Sequence, residues 1–287
     1  MNIKFHLIRL YLLDSRQVTC YIFPMLIFLK LGGSLITDKI RPFTPRLKIL
    51  DMLANQIAEA FHKNSGLQLI VGHGSGSFGH QPASRYKTRL GVSGPKAWQG
   101  FAEVWYQASA LNRLVIDALR NYKLPAVTLA PFPSVTTNDG KIVSWDLAQL
   151  KASLTNGLLP VLHGDVVFDT TRGGTILSTE DIFSYLAHHL QPERILLAGL
   201  EKGVWKDFPA RTHLLSEMTP RTIADQAPNL GRSSAEDVTG GMQTKVTEML
   251  VLVEQIPDME VQIFSGEEPG NIIRALKGEY PGTRLRY

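Results

Sequence analysis

Cysteine is almost absent from this 287-residue chain, where Cys20 stands alone. One thiol can form neither an internal disulfide nor a multi-cysteine metal site, and such scarcity fits a reducing cytoplasm. The chain also lacks any apolar run of about 20 residues, the length a bilayer-spanning helix needs, so no membrane association is expected. FHLIRLYLL (5–13) is much shorter and is interrupted by Arg9. No small-residue cleavage pattern follows it, which argues against a signal peptide. No dense Lys/Arg block occurs, and 30 basic against 26 acidic residues leave a net charge of only +4. That balance reads as a solvated surface and not as a nucleic-acid footprint. Repeats and low-complexity stretches are missing, as is any G-x-x-x-x-G-K-[ST] sequence, so the P-loop reading is excluded.

What is present is ordinary globular composition, 44% hydrophobic and 20% charged, in a chain able to bury one large core or two modest ones. Residues 1–24 read as an appended extension, with LIFLKLGGSLITDK opening the body of the protein after Met25. Apolar runs at 26–31, 67–74, 125–130, 158–165, 194–200 and 260–266 are expected strands. Between them, helical spacing covers 46–63, 99–121, 147–155, 180–189, 240–256 and 269–277. A hairpin is expected over 134–145, turning at Asn138-Asp139-Gly140, and an irregular lid or linker over 205–239. Alternating strands and helices imply an α/β fold with a largely parallel sheet, whose ligands bind beyond the carboxyl ends of the strands. Glycines at 32–33, 72–79, 164 and 266 all fall at such ends.

One glycine cluster, VGHGSGSFGH (71–80), contains Gly74-x-Gly76-x-x-Gly79, a dinucleotide-binding pattern if taken alone. That fold also requires an acid about 20 residues on, at the end of the next strand. The next acid here is Glu103, inside a helix, so the reading fails. Glycine turns and helix N-termini with nearby cations remain, an inventory suited to holding a polyphosphate and transferring a phosphoryl group. Lys30 could snorkel from its strand, but a lysine among leucines is uncommon there and leans functional. Lys39 alone reads as a surface residue. Lys245, in the first turn of a helix, is placed where the dipole disfavours a cation unless an anion is bound. His80 reads equally well as structural or functional. His163, His188 and His189 read as structural or exposed. Asp181 on its own reads as a helix N-terminal charge.

Taken in order, LKLGGSLITDK, HGSGSFGH, HGDVVFD, LSTEDI, DVTGGMQTKV and GTRL resemble the amino acid kinase superfamily. The histidine in G-S-F-G-H is similar to that of the isopentenyl phosphate kinases and the related fosfomycin kinases, and the likeness runs from about residue 26 to 286. The resemblance implies an open αβα sandwich with a largely parallel central sheet. It places the acceptor phosphate on residues 25–190 and ATP on 191–287. Lys30 would neutralise the group in flight, Lys39 would contact phosphates, and Asp181 would orient the lysines. His80, Gly74 and Thr179 would hold the acceptor phosphate. Phe101 and Val104 would line the pocket for its apolar tail, an option that Trp105 also favours. Lys30, Gly32, Gly33, Ser34, Ser75, Gly241 and Lys245 would serve ATP. Mg²⁺ would be held mainly by the ATP phosphates, with no protein metal site. A cytoplasmic homodimer is implied, acting on ATP and isopentenyl phosphate. A small-phosphonate kinase and a non-catalytic nucleotide sensor of the same fold remain alternatives. Two departures stand out: Ser75 replaces a glycine, which requires either a negative φ there or a hydroxyl that aids the phosphate, and GLEKGVW (199–205) lacks two acids of the family pattern.

Overall fold

A computed structural model of the protein describes residues 25–223 and 241–287. The extension 1–24, Gly240 and the part of the expected lid from 224 to 239 lie outside the described residues. The main sheet has eight strands. In chain order these are β1 (Met25–Leu31), β2 (Leu67–His73), β3 (Ala126–Thr128), β6 (Leu159–His163), β9 (Arg194–Gly199), β10 (Glu217–Met218), β11 (Glu260–Ser265) and β12 (Thr283–Leu285). Their spatial order is β10-β12-β11-β9-β1-β2-β6-β3, and every pair except β11–β12 is parallel. A second sheet joins β4 (Val135–Asn138), β5 (Lys141–Trp145), β7 (Asp165–Asp169) and β8 (Gly173–Leu177) in the order β5-β4-β7-β8.

The helices sit on both faces of the main sheet. Those of the first half are α1 (Gly33–Ile36), α2 (Leu47–Lys63), α3 (Gly76–Tyr86), α4 (Pro95–Asn121), the short turn α5 (Pro131–Ser134) and α6 (Ala148–Thr155). The others are α7 (Thr179–Leu190), α8 (Met242–Gln255) and α9 (Asn271–Leu276). Strand alternation decides what each face receives. On β1, Ile27, Leu29 and Leu31 enter one core with Leu53 and Ile57 of α2 and Leu111 and Val115 of α4. Phe28 enters the other, with Phe183 and Leu186 of α7 and Val246 and Leu250 of α8. Lys30 therefore shares the face of Phe28, on the side where α7 lies.

Two expectations need correction. The run 158–165 is not one strand, because it breaks at Gly164 and continues into the second sheet as β7. The glycine cluster is not merely a loop either, since Gly76–Tyr86 forms a helix despite four poor helix formers at Gly76, Ser77, Gly79 and Pro82. Burial of Phe78 in the first core, and of Ala83 in a third, smaller cluster with Val92, Phe101, Val104 and Val166, supplies what propensity lacks.

Candidate active site

The carboxyl ends of β1 and β2 meet backbone to backbone. A Cβ built on Gly33 would lie 2.5 Å from the Gly76 nitrogen, and one on Gly74 would lie 2.9 Å from the Gly33 nitrogen. Neither Gly33 nor Gly74 tolerates a side chain, so these glycines serve close approach as well as turning. Gly76 also has φ +48, the left-handed region where glycine carries no penalty. Ser75 has φ −76 and ψ −12, so a side chain is tolerated there. The Gly74 N–H was expected to reach a phosphate, but it donates to the Leu31 carbonyl at 3.1 Å because the two strands remain paired to their ends. Thr37 fastens the turns together, its hydroxyl donating to the Gly33 carbonyl at 2.8 Å and accepting from the Ser77 N–H at 3.0 Å.

Around these turns is a cleft of about 280 Å³. The N-caps of α1, α3, α7 and α8, namely Gly32, Ser75, Ser178 and Gly241, all line it. Helix N-termini expose unsatisfied N–H groups and the positive end of the dipole, so this convergence favours a polyanion. Lys30, Lys39, His80, Arg89, Arg211 and Lys245 line the same cleft.

Lys30 is only 8% exposed and its Nζ is paired with Oε1 of Glu180. The same carboxylate oxygen lies 3.7 Å from Lys245 Nζ. Burial alone would raise the Glu180 pKa, but the charges of Lys30 and Lys245 and the hydrogen bond from Lys30 outweigh it and hold the group at about 2. Glu180 thus stays ionised between two lysines that would otherwise repel each other. Local packing creates this contact. Gly72 pairs with Lys30 across β1 and β2, and a Cβ there would come within 2.6 Å of Thr179 and Phe183. Only glycine lets the start of α7 lie close enough to bring Glu180 to Lys30.

Asp181 was expected to orient the lysines, and here the structure corrects the sequence. Its carboxylate accepts from the Ser178 N–H at 2.8 Å and the Ser178 hydroxyl at 2.7 Å, closing a capping box with its own N–H. Its remaining ionic partner is Arg89 at 3.5 Å. Adjacent side chains on a helix diverge by about 100°, so one of the two acids can face the lysines and the other cannot.

Another wall of the cleft carries His80 on α3, with Ala83, Val104 and Ile176 as its apolar surface. Phe101, expected to line the pocket, packs one layer behind with Ala83, Val92, Val104 and Val166, its ring 5.6 Å from Phe168 and 5.9 Å from Phe132. It supports the wall instead of surfacing it, and Trp105 is partly exposed and packs on Phe132 at 6.3 Å. Thr179 lines the cleft while its hydroxyl donates to the His73 carbonyl at 2.7 Å.

Beneath the site, His73 and His163 stack at 5.4 Å, both buried. Burial lowers both pKa values, that of His163 to about 3 because a second proton beside His73 is also disfavoured, so the pair is neutral at physiological pH. Unfolding returns His163 to 6.5, so the unfolded chain binds the extra proton between pH 6.5 and about 3. Stability from this group is therefore present above pH 6.5 and lost as pH falls through that window. Its share should be about 2 kcal/mol between pH 6.5 and 5. Urea unfolding of the protein and of His163→Asn at these two pH values checks this, the variant showing the shallower decline.

At the far end of the cleft lie Gly199, Leu200, Glu201, Trp205, Phe208 and Arg211. Glu201 accepts from the Trp205 indole at 3.0 Å and from Arg211 at 2.8 Å, while the Arg211 guanidinium covers the Phe208 ring at 5.2 Å. In the stretch that departs from the family pattern, these residues form a wall of rings and paired charges. Among the described residues no cluster of three or more His, Cys, Asp or Glu could hold a metal ion. Glu180, Asp181 and Glu201 are each committed to cations or the helix cap. A divalent ion therefore fits this donor set only if it arrives on phosphate oxygens.

The sequence profile of the amino acid kinase family matches residues 25–265. The chain belongs to the amino acid kinase family. Its relatives include the isopentenyl phosphate kinase of Methanocaldococcus jannaschii, 33% identical over 92% of this chain and 99% of the relative. That of Haloferax volcanii is 34% identical over 87% and 98%. A solved structure of isopentenyl phosphate kinase superposes with TM-score 0.76 at 30% identity, covering 91% of this chain and 99% of that one. This family member is thus a kinase with an α/β sandwich built on a parallel-rich sheet.

Of the residues named from sequence, Lys30, Gly32, Gly33, Ser34, Lys39, Gly74, Ser75, His80, Val104, Thr179, Gly241 and Lys245 all line the one cleft. Phe101 and Asp181 do not, while Glu180 and Arg89 were missed and do. A signal for the first swap was available, since Ser178-Thr179-Glu180-Asp181 reads [ST]-x-x-[DE], the capping-box pattern, which commits the fourth residue to the cap. Arg89 carried no such signal. Among the described residues no helix is long and apolar enough to cross a membrane.

Proposed function

We propose that this protein transfers the γ-phosphoryl group of ATP to isopentenyl phosphate, giving isopentenyl diphosphate and ADP. The observation that carries this reading is a single cleft whose lining joins a wall of His80 and the apolar Ala83, Val104 and Ile176 to the Lys30–Glu180–Lys245 chain. A phosphate with a hydrocarbon tail matches both parts of that wall. Residues 25–190 supply the acceptor side, and residues 191–287 the nucleotide side.

No general base is needed. A phosphate monoester has a second pKa near 6, so the acceptor is largely dianionic at neutral pH. One of its oxygens attacks the γ-phosphorus as the bond to the β,γ-bridging oxygen breaks, and ADP departs with that electron pair. The task left to the protein is to bring two polyanions together and neutralise the charge in transit. Lys30 and Lys245, spaced by Glu180, face the transferring group. The N-termini of α3, α7 and α8 receive the phosphates, Lys39 adds charge from the rim, and His80 donates to the acceptor. Mg²⁺ fits on the ATP phosphates, where its charge would assist the leaving group.

ADP release measured with ATP–Mg²⁺ and a panel of acceptors tests the reading. Isopentenyl phosphate should give the highest kcat/KM, above a small polar phosphonate and above amino acids; preference for the phosphonate would favour the alternative kinase. His80→Ala should lower kcat/KM for isopentenyl phosphate at least roughly tenfold and leave KM for ATP nearly unchanged, since a charge-assisted hydrogen bond is worth about 1.5–3 kcal/mol. His80→Gln should recover part of the loss. An effect confined to ATP would move His80 to the nucleotide.

A further inference from the structure

Arg89 lies in a 3₁₀ turn, Thr88–Leu90, between α3 and the second sheet. Its main-chain carbonyl is fixed from β8, accepting from the Thr175 hydroxyl at 2.9 Å. The side chain is one-third exposed and lines the cleft on the same wall as His80, Ala83 and Val104. Among the described residues its one ion pair is the 3.5 Å contact from Nη2 to Asp181 Oδ2. That oxygen already accepts two hydrogen bonds from Ser178, so it holds Arg89 loosely and never as a two-point fork. The other terminal nitrogen, Nη1, is buried and has no hydrogen-bond partner among the described residues. A guanidinium with an unanswered N–H beside an anion-binding cleft is underused by the protein itself.

We propose that Arg89 binds the acceptor's phosphate, working beside His80, with Asp181 as its positioning residue. The proposal rests on the phosphate-acceptor reading above. Two neighbouring acids at the start of α7 then divide the cations of the cleft between them: Glu180 spaces the lysines of the transfer zone, and Asp181 holds Arg89 toward the acceptor wall. The location selects acceptor over nucleotide. Arg89 is packed among α3, α4 and β8, whereas the residues of the far end, Gly199 to Arg211, follow β9 on the other side of β1. Chemistry gives the pairing a purpose. A guanidinium stays charged at every physiological pH and offers the planar fork that phosphate oxygens accept, which a single imidazole N–H does not. The diphosphate product carries more charge than the acceptor, so a permanent cation on this wall would also hold the product after transfer.

Steady-state kinetics of the full chain, with one substrate varied at saturating levels of the other, test this. Arg89→Gln should raise KM for isopentenyl phosphate roughly ten- to a hundredfold and leave KM for ATP within about twofold. Arg89→Lys, which keeps the charge and can keep the Asp181 pair, should melt like the unsubstituted protein and still show a raised acceptor KM, because it cannot form the fork. Should Arg89→Gln fail to fold, the lysine variant decides alone. An unchanged acceptor KM in Arg89→Lys and Arg89→Gln, or a rise confined to ATP, overturns the proposal and leaves Arg89 as a counter-ion of the helix cap. If the unsubstituted protein does not turn over isopentenyl phosphate at all, the acceptor reading fails instead. Calorimetric binding of inorganic phosphate, lost in Arg89→Gln or retained, would then still report whether Arg89 holds a phosphate.

Discussion

Lys30→Ala should lower kcat by at least about 10²–10³-fold, the loss seen when one preorganised donor to a developing charge is removed. Lys30 projects from the centre of the sheet into the cleft and pairs with Glu180, so its ammonium is already fixed before any phosphate arrives. Such a group pays no reorganisation when charge moves through the transition state. KM for either substrate should change much less than kcat, because the largest benefit falls on the group in flight. The substitution also leaves Glu180 buried with Lys245 as its remaining cation, 3.7 Å away, so some loss of stability accompanies the loss of turnover. Rapid-quench measurement of the chemical step, alongside thermal unfolding, separates the two. A variant that is folded at the assay temperature and still turns over normally would make Lys30 a structural lysine.

Glu180→Gln should be nearly as damaging, through position instead of contact. It removes the charge between Lys30 and Lys245 and leaves the buried Lys30 and the partly exposed Lys245 facing each other without a counter-charge between them. Breaking a buried pair in this way costs about 3–5 kcal/mol. Turnover should fall at least about a hundredfold as the lysines separate, and Glu180→Asp, which keeps the charge on a shorter arm, should recover part of both stability and kcat. The pH dependence carries the signature. The folded pKa of Glu180 is about 2 against an ordinary 4.5, so its stabilisation is complete above pH 4.5 and is lost as pH falls toward 2. The glutamine variant should lack that acid-range component. If it unfolds with the same dependence between pH 5 and 3, Glu180 does not hold the lysines in solution.

The strand ends and the site's cations were readable because apolar runs closing on glycine have few other meanings, and because Lys30 and Lys245 both occupy positions that cost something without an anion. The choice between Glu180 and Asp181 was not made correctly, although the capping-box spacing from Ser178 contained the answer. Phe101 and Val104 are three apart on one helical stripe, and periodicity places both on the buried face without saying which stands in front. The structure puts Val104 at the cleft and Phe101 among rings behind it. The break at Gly164 was hidden because β6 and β7 are both apolar, so one sheet and the next read as a single run. Helix α3 was obscured by its own glycines, which the close approach of two backbones requires. Arg89 was invisible for another reason: its partner Asp181 is distant in sequence, and an isolated arginine between a tyrosine-lysine pair and a glycine looks like surface.

The central claim is that a phosphate monoester, held by His80 against an apolar wall, receives the γ-phosphoryl group without a general base. It is tested most directly by following the label from [γ-³²P]ATP in the presence of isopentenyl phosphate. The account predicts that label moves into isopentenyl diphosphate in amounts equal to the ADP formed, and that transfer vanishes when the acceptor is omitted. Label appearing as inorganic phosphate regardless of the acceptor, or remaining in ATP while the protein is folded and binds nucleotide, would contradict it.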